Sequence, residues 1–304
     1  MNNSTLSTEE ISSTARFLTG VTYSFLTFIG LFMYSLVFMA FYKNFGEFRE
    51  NSYYIIVCNL GTADILYHLL NLAVMIPWTF LGYYPLGVTV GSVLPQINWI
   101  LFYAILLFSF LMSLNRFTCF VHEQLNEYVF EPPRRMFVLA GAWIFSIFSW
   151  VALHLVGCGV GFNGARNHFS VGCRDPSMFA YIFQLEQLIC IVIFCLYVAV
   201  FVHIRLIRKS IQSTDDDKKW AHSPQAKEKK QKLKQEHKLL LEGCVVCGIL
   251  CFEVFCYWII PRYVHSYGGA VFSSALGIFN SAVNPFIYLS FNSVLRQKFV
   301  AMFR

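Results

Sequence analysis

The stretch NSAVNPFIYLSFNSVLRQKF, residues Asn280 to Phe299, joins a proline-containing apolar run to a short basic segment. Pro285 cannot donate a backbone hydrogen bond inside a helix, and a polar neighbour such as Asn284 can bind the carbonyl left over. This combination is typical of a membrane helix that bends between two states. The segment after it is apolar at every fourth residue from Phe291 onward, with basic and amide side chains between. It predicts a short amphipathic helix on the inner membrane surface, within residues 291–304.

The composition around this stretch is that of a membrane protein. Of 304 residues, 57% are hydrophobic and only 13% are charged, whereas a soluble domain carries about a quarter charged residues. The net charge of +6 does not indicate nucleic-acid binding, because the positive charge concentrates in one loop between apolar runs. We therefore expect contact with membrane lipids and no nucleic-acid partner.

Seven apolar runs are long enough to cross about 30 Å of hydrocarbon. They cover residues 17–42, 53–80, 92–121, 136–157, 178–206, 240–264 and 267–290. The sequence thus predicts an all-α membrane protein, a seven-transmembrane helix bundle with a short amphipathic C-terminal helix. We expect residues 1–304 to form a single domain.

The distribution of lysine and arginine predicts the orientation. With the N-terminus outside, all but four of the 23 basic residues face inward; the exceptions are Arg16, Arg166, Arg174 and Arg262. Residues 1–16 are then extracellular, where Asn2 and Asn3 are acceptors for N-glycosylation. We expect a multi-pass protein of the plasma membrane.

Residues 208–236 form the one long hydrophilic insertion and face inward in this orientation. The segment from Lys227 to Lys238 has no proline or glycine, so it is predicted to extend the sixth helix. Two interpretations stay open: a charged loop retained for topology, or a docking surface for a cytoplasmic partner.

Three acids, Asp64, Glu186 and Glu253, lie well inside the predicted spans. A charge at the bilayer centre costs about 2.5–3.5 kcal/mol on insertion scales, so each acid needs a partner or a function. Glu186 lies in the outer half of the fifth span between Gln184 and Gln187, where it either lines a ligand cavity or reaches the interface. The sequence indicates no role for Glu253.

Asp64, His68 and Asn71 lie on one helical face, because they are four and then three residues apart. Asn280, Ser281 and Asn284 in the last span are natural partners for that face. The set predicts a central polar network. Either it is a structural hydrogen-bond network between helices, or it is a protonatable or ion-binding switch.

Several motifs together resemble the rhodopsin-like (class A) G-protein-coupled receptors over essentially the whole chain. They are Asn59-Leu60-x-x-Ala63-Asp64, Asn115-Arg116-Phe117, Trp143, Pro261 and Asn284-Pro285-x-x-Tyr288. The variant around Arg116 and the phenylalanine-rich spans are more similar to nematode serpentine chemoreceptors.

The resemblance implies a receptor that converts binding of an extracellular small ligand into activation of a heterotrimeric G protein, in chemosensation. Arg116 would leave its resting partners and meet the G protein. Tyr197 and Tyr288 would swing in to stabilise the open inner cavity. Asp64, with the polar residues of the last span, would be the central switch.

The sequence also departs from the family pattern. Gly91 stands where the family has a disulfide cysteine in the third span, so we expect Cys158 and Cys173 to close a bridge within the second outer loop instead. Asn115 replaces the acid before Arg116, which predicts weaker restraint at rest and higher basal activity. Ile105 stands at a sodium-site position, which puts sodium binding in doubt.

The residues expected to line the ligand cavity are Asn98, Trp99, Phe102, Tyr103, Glu186, Phe255, Trp258 and Ser274. For any one aromatic among them, lipid contact or core packing is the alternative. As a set they predict a small, mostly apolar ligand. Asn98 replaces the aspartate of amine receptors, which argues against a biogenic amine.

Three rival classes remain. A transporter would show repeated halves or paired charges along a pore, and the sequence shows neither. A membrane enzyme, a metal site or a cofactor is not expected, because His68, His154 and His203 fall in separate spans without metal-ligand spacing. A receptor-like protein that does not signal is the third, because residues 105, 115 and 259 depart from the pattern.

Overall fold

The computed structural model describes residues 12–83, 87–164, 166–212, 224–264 and 266–302. Within these ranges, seven helices are long and apolar enough to cross a membrane. In chain order, the helical spans are Ser13–Lys43, Ser52–Leu81, Gly87–Val121, Arg134–Leu155, Pro176–Gln212, Pro224–Tyr263 and Tyr267–Phe291. The predicted seven-helix bundle is confirmed.

Short elements connect the spans at one end of the bundle, the end that the sequence predicts to face inward and that is called the inner side below. The helices Phe45–Phe48 and Glu123–Phe130 follow the first and third spans. The C-terminal helix, Ser293–Ala301, begins after the side chain of Asn292 accepts a hydrogen bond from the Leu295 amide at 3.0 Å. Its predicted amphipathic character has a structural basis: Leu295 is buried, and Lys298 pairs with Glu47 of the first connecting helix at 2.6 Å.

The apolar residues divide between a packed interior and an outer surface. The third and seventh spans are the most buried, and they carry nine of the 22 buried polar or charged side chains of the described residues. In contrast, Phe25, Phe28 and Phe32 of the first span are about 60% exposed. Such a stripe would be a liability in water, but it matches the acyl chains of a bilayer.

The second span contains a π-helical turn, Asn71–Met75, between the α-helices Ser52–Leu70 and Ile76–Leu81. Pro77 follows this turn and has no N–H to bond the preceding turn of helix. A π-turn is one of the known ways in which a helix absorbs that loss. It places Asn71, which is completely buried, at the start of the distortion.

A β-hairpin follows the fourth span and was not predicted from the sequence. Its strands, β1 (Cys158–Asn163) and β2 (His168–Cys173), pair antiparallel, with Cys158 opposite Cys173. These two cysteines form a disulfide, as predicted. The bridge closes the open end of the hairpin, which in the chain-entropy model contributes about 3 kcal/mol for a loop of this length.

Hydrogen bonds hold the hairpin against the bundle. The amide side chain of Gln96 in the third span donates to the Val160 carbonyl at 2.6 Å and accepts from the Val160 N–H at 3.1 Å. The Tyr257 hydroxyl of the sixth span donates to the Phe169 carbonyl at 3.1 Å. The Gln96 bonds join the hairpin to the third span, where Gly91 stands in place of a cysteine that could do so. The Tyr257 bond joins the hairpin to the sixth span.

The inner loop between the fifth and sixth spans is shorter than predicted. The fifth helix continues to Gln212 and the sixth begins at Pro224, so both helices extend into the predicted loop 208–236. The expected helical extension from Lys227 to Lys238 is confirmed. Residues 213–223 lie outside the described residues, as do the predicted glycosylation sites Asn2 and Asn3.

Candidate functional site

A cavity lies between the hairpin and the middle of the bundle. Its volume is about 60 Å³, which is room for a few water molecules. Its lining comprises Tyr67, Asn98, Trp99, Phe102, Ile105, Val160, Phe169, Val171, Glu186, Glu253, Tyr257, Trp258, Ser273, Ser274, Gly277, Asn280 and Ser281. Five of the seven spans and both strands of the hairpin contribute residues to the cavity wall.

Six of the eight predicted lining residues face this cavity: Asn98, Trp99, Phe102, Glu186, Trp258 and Ser274. Tyr103 lies one layer behind, with its ring stacked on Trp99 at a centroid distance of 4.8 Å. Phe255 requires a correction, because it is 50% exposed on the outside of the sixth helix. Glu253 and Tyr257, four residues apart, point inward, so the residue midway between them points away from the cavity.

Glu186 is the fifth-span carboxyl of the cavity. It is 1% exposed, and its Oε2 accepts a hydrogen bond of 2.6 Å from the indole N–H of Trp258. The Tyr103 hydroxyl is a close neighbour of the same carboxyl. The neighbouring Gln184 is exposed, so the structure separates Glu186 from the polar cluster in which the sequence placed it.

Glu253 is the second cavity carboxyl, and its position was missed. Its Oε2 accepts a hydrogen bond of 3.2 Å from the Asn280 amide of the seventh span. A Cβ at Gly277 would lie only 3.1 Å from Glu253 Oε1, so the glycine leaves room for this carboxyl. The sequence shows only that an acid lies in an apolar run, and this does not indicate whether the side chain points into the bundle.

Asp64 is the centre of a second polar group, deeper in the bundle. It is completely buried, and its Oδ2 accepts hydrogen bonds from the Tyr34 hydroxyl and from the Asn284 amide, the latter at 3.0 Å. Ser281 is a further hydrogen-bonding neighbour. Tyr34 of the first span was not predicted, because a tyrosine in an apolar run gives no such signal.

The predicted single polar network is therefore two groups. His68 and Asn71 are buried on the same face as Asp64, as expected, but within the described residues the polar neighbour of Asn71 is the Tyr67 hydroxyl, and the two ring nitrogens of His68 make no hydrogen bond. The His68 ring instead packs at Gly30 of the first span, beside Ala282. Asn280 bonds Glu253 of the cavity rather than Asp64.

Arg116 lies near the inner end of the third span and is 2% exposed. Its guanidinium carbon lies 3.8 Å from the centroid of the Tyr53 ring of the second span. Glu242 of the sixth span, also fully buried, has both Tyr53 and Arg116 as electrostatic neighbours. In this conformation Arg116 is enclosed between three spans and does not face the inner surface.

The residues beside Arg116 connect it to the second inner loop. The Asn115 side chain donates to Asn126 of the connecting helix at 3.1 Å, and Thr118 donates to the same oxygen at 3.0 Å. Asn115 thus anchors the loop.

Elsewhere in the bundle, the Trp143 indole donates a hydrogen bond to Asn59 at 3.1 Å, which joins the fourth span to the second.

The remaining predicted switch residues cluster at the inner half of the bundle. Tyr197 and Tyr288 are 4% and 1% exposed. The Tyr197 hydroxyl lies 3.7 Å from the Cys247 sulfur and directly over Gly243. Pro285 is buried within a seventh helix that continues past it to Phe291.

The family profile described as "Serpentine type 7TM GPCR chemoreceptor Srx" matches residues 25–292, most of the chain. The chain belongs to the Srx family. Among solved structures, this Srx chain is similar to squid rhodopsin, with a TM-score of 0.80 and 15% identity, covering 96% of this chain and 86% of that one. At that identity the likeness concerns the fold alone. No curated protein matches the sequence.

Family and fold agree with the motifs found in the sequence. The Srx chain is a multi-pass membrane protein and a G-protein-coupled chemosensory receptor. Both comparisons point to receptors and neither to an enzyme. The cavity and the buried arginine are therefore the two ends of a candidate signalling path.

Proposed function

We propose that this receptor binds a small extracellular ligand in the cavity beneath the hairpin and thereby releases Arg116 to a heterotrimeric G protein. It does so at the plasma membrane with its N-terminus outside. The excess of lysine and arginine on the opposite side supports that orientation. Residues 1–16 are then extracellular, with Asn2 and Asn3 available for glycosylation.

The observation that carries the proposal is the enclosure of Arg116 by Tyr53 and Glu242. A buried arginine over an aromatic ring is stabilised by a cation–π interaction, worth about 2 kcal/mol when desolvated. It can meet a cytoplasmic partner only after the second, third and sixth spans separate. The same residues that hold the resting state therefore control access of the partner.

The ligand acts on this equilibrium only through a difference in affinity for the two bundle packings. Glu186 and Trp258 join the fifth and sixth spans across the cavity, and Glu253 and Asn280 join the sixth and seventh. A ligand that rearranges these contacts changes the packing of the sixth span. Glu242 lies on the same helix, so its contact with Arg116 changes as well.

The test is basal G-protein activation in cells at matched surface expression. Wild type is compared with Arg116→Ala and Asp64→Asn, and Arg134→Ala is the control because it removes an exposed inner-side arginine outside the site. We expect Arg116→Ala to abolish the basal signal, Asp64→Asn to change it, and Arg134→Ala to leave it unchanged.

Two outcomes would support other functions. If no signal appears with any G protein, and none follows a broad screen of odorants and metabolites, the protein is a receptor-like membrane protein without G-protein signalling. Uptake of a screened compound into cells, independent of G protein, would favour a transporter.

A further inference from the structure

Two acceptor oxygens of the cavity have no standard hydrogen bond among the described residues. Glu186 uses Oε2 for Trp258, while its Oε1 makes no hydrogen bond of standard geometry there, although the Tyr103 hydroxyl is a neighbour of the same carboxyl. Asn280 donates its amide nitrogen to Glu253, and this fixes its carbonyl oxygen as an acceptor, which is also unpartnered within the described residues. Both side chains are at least 98% buried and line the cavity.

The cavity also lacks a positive charge to balance its two carboxyls. None of its lining residues in the described part of the chain is a lysine, arginine or histidine. Glu186 and Glu253 are close enough to each other to interact electrostatically. Buried carboxylates favour a cationic partner that also donates hydrogen bonds.

The aromatic walls suit the same kind of ligand. Trp99, Phe102, Tyr257 and Trp258 line the same cavity as the two carboxyls. The faces of such rings attract a desolvated cation, and their apolar area accepts a short alkyl chain. The free space of about 60 Å³ limits a ligand that enters without rearrangement to a small molecule.

We propose that the cavity is a site for a small alkylammonium ion whose N–H groups donate to Glu186 of the fifth span and Glu253 of the sixth. This deepens the proposed function, on which it rests, by naming the ligand class. The sequence argued against an amine, because Asn98 stands where amine receptors carry an aspartate in the third span. The structure supplies carboxyls from two other spans instead.

The probes are n-butylamine, 1,4-diaminobutane and the uncharged isostere 1-butanol. Binding is measured by calorimetry or thermal shift on purified full-length receptor in lipid nanodiscs, without a G protein. We expect n-butylamine to bind at least tenfold more tightly than 1-butanol. Glu186→Gln and Glu253→Gln should each weaken n-butylamine by tenfold or more, and should leave 1-butanol unchanged.

Two further variants separate charge from shape. Gln184→Glu adds a carboxylate on the exposed side of the same helix and should leave the affinity for n-butylamine within twofold. Gly277→Ala places a methyl group 3.1 Å from Glu253 Oε1 and 3.3 Å from the Tyr67 hydroxyl. It narrows the cavity, so it should weaken the amine and the alcohol alike.

The proposal is overturned if 1-butanol binds as tightly as n-butylamine, if both glutamine variants keep wild-type affinity for the amines, or if neither amine binds at millimolar concentration. Because binding is read without a G protein, these failures leave the signalling role untouched. Loss of the basal signal in Arg116→Ala tests that role separately, in the cell assay described above.

Discussion

Replacing Tyr53 by leucine removes the ring that lies 3.8 Å from the Arg116 guanidinium carbon. Both side chains are almost completely buried, so the lost cation–π interaction is at the desolvated end of its range, about 2 kcal/mol. The interaction belongs to the conformation in which Arg116 is enclosed. Its loss therefore destabilises the resting state and leaves the active state unchanged.

A change of about 2 kcal/mol shifts the ratio of active to resting receptor about 30-fold, since 1.4 kcal/mol is a factor of ten. An active population of about 0.1% would rise to about 3%. The assay is nucleotide exchange on a purified G protein by receptor-containing membranes without ligand, normalised to receptor amount. Tyr53→Phe is the matched control, because it keeps the ring and removes only the hydroxyl beside Glu242.

We expect Tyr53→Leu to raise the basal rate well above wild type and Tyr53→Phe to stay close to it. If the basal rate of Tyr53→Leu is at or below that of wild type, with normal expression and thermal stability, the Tyr53 ring does not restrain Arg116 in the resting conformation. If both variants were equally active, the hydroxyl and not the ring would be the restraining group.

Four further expectations concern other parts of the molecule. Cys158→Ser and Cys173→Ser should each lower the free energy of unfolding by about 3 kcal/mol, and the double variant should equal either single one in a thermal-stability assay. Asn115→Asp puts an acid next to the buried arginine and should lower basal nucleotide exchange several-fold; a rise would contradict this. Trp143→Phe loses its hydrogen bond to the second span and should cost about 1 kcal/mol of stability. Burial, with a nearby arginine, lowers the pKa of His168 in the hairpin to about 4, so the folded state favours the neutral ring. About 2 kcal/mol of stability should be lost between pH 7 and pH 5, and His168→Asn should flatten the dependence of the melting temperature on pH.

The sequence predicted what depends on local chain properties. The length and apolar character of a run decide whether it spans a bilayer, and all seven spans follow from that. The amphipathic C-terminal helix was likewise readable from the sequence. Each of these features is specified by a pattern within about twenty consecutive residues.

Features that depend on helix rotation were not predictable. Nothing within the second span indicates that Tyr53 covers Arg116, because that contact is set by how two helices pack. The same holds for Glu253, which faces the cavity, and for Phe255, which was expected there and faces outward. The β-hairpin also escaped prediction, since its glycine-rich strands are short and its order depends on Gln96 of another span.

Two of the buried carboxyls, Glu253 and Asp64, are hydrogen-bonded to one short part of the seventh span. Asn280 donates to Glu253 at the cavity, while Asn284, one turn further on, donates to Asp64. Ser281 belongs to both groups, because it lines the cavity and neighbours the Asp64 carboxyl. One helical turn rises about 5.4 Å, so a ligand that engages Glu253 acts on the helix immediately before Pro285, where one backbone hydrogen bond is already missing. We infer that a ligand at Glu253 acts on the seventh helix at Pro285 through this single turn.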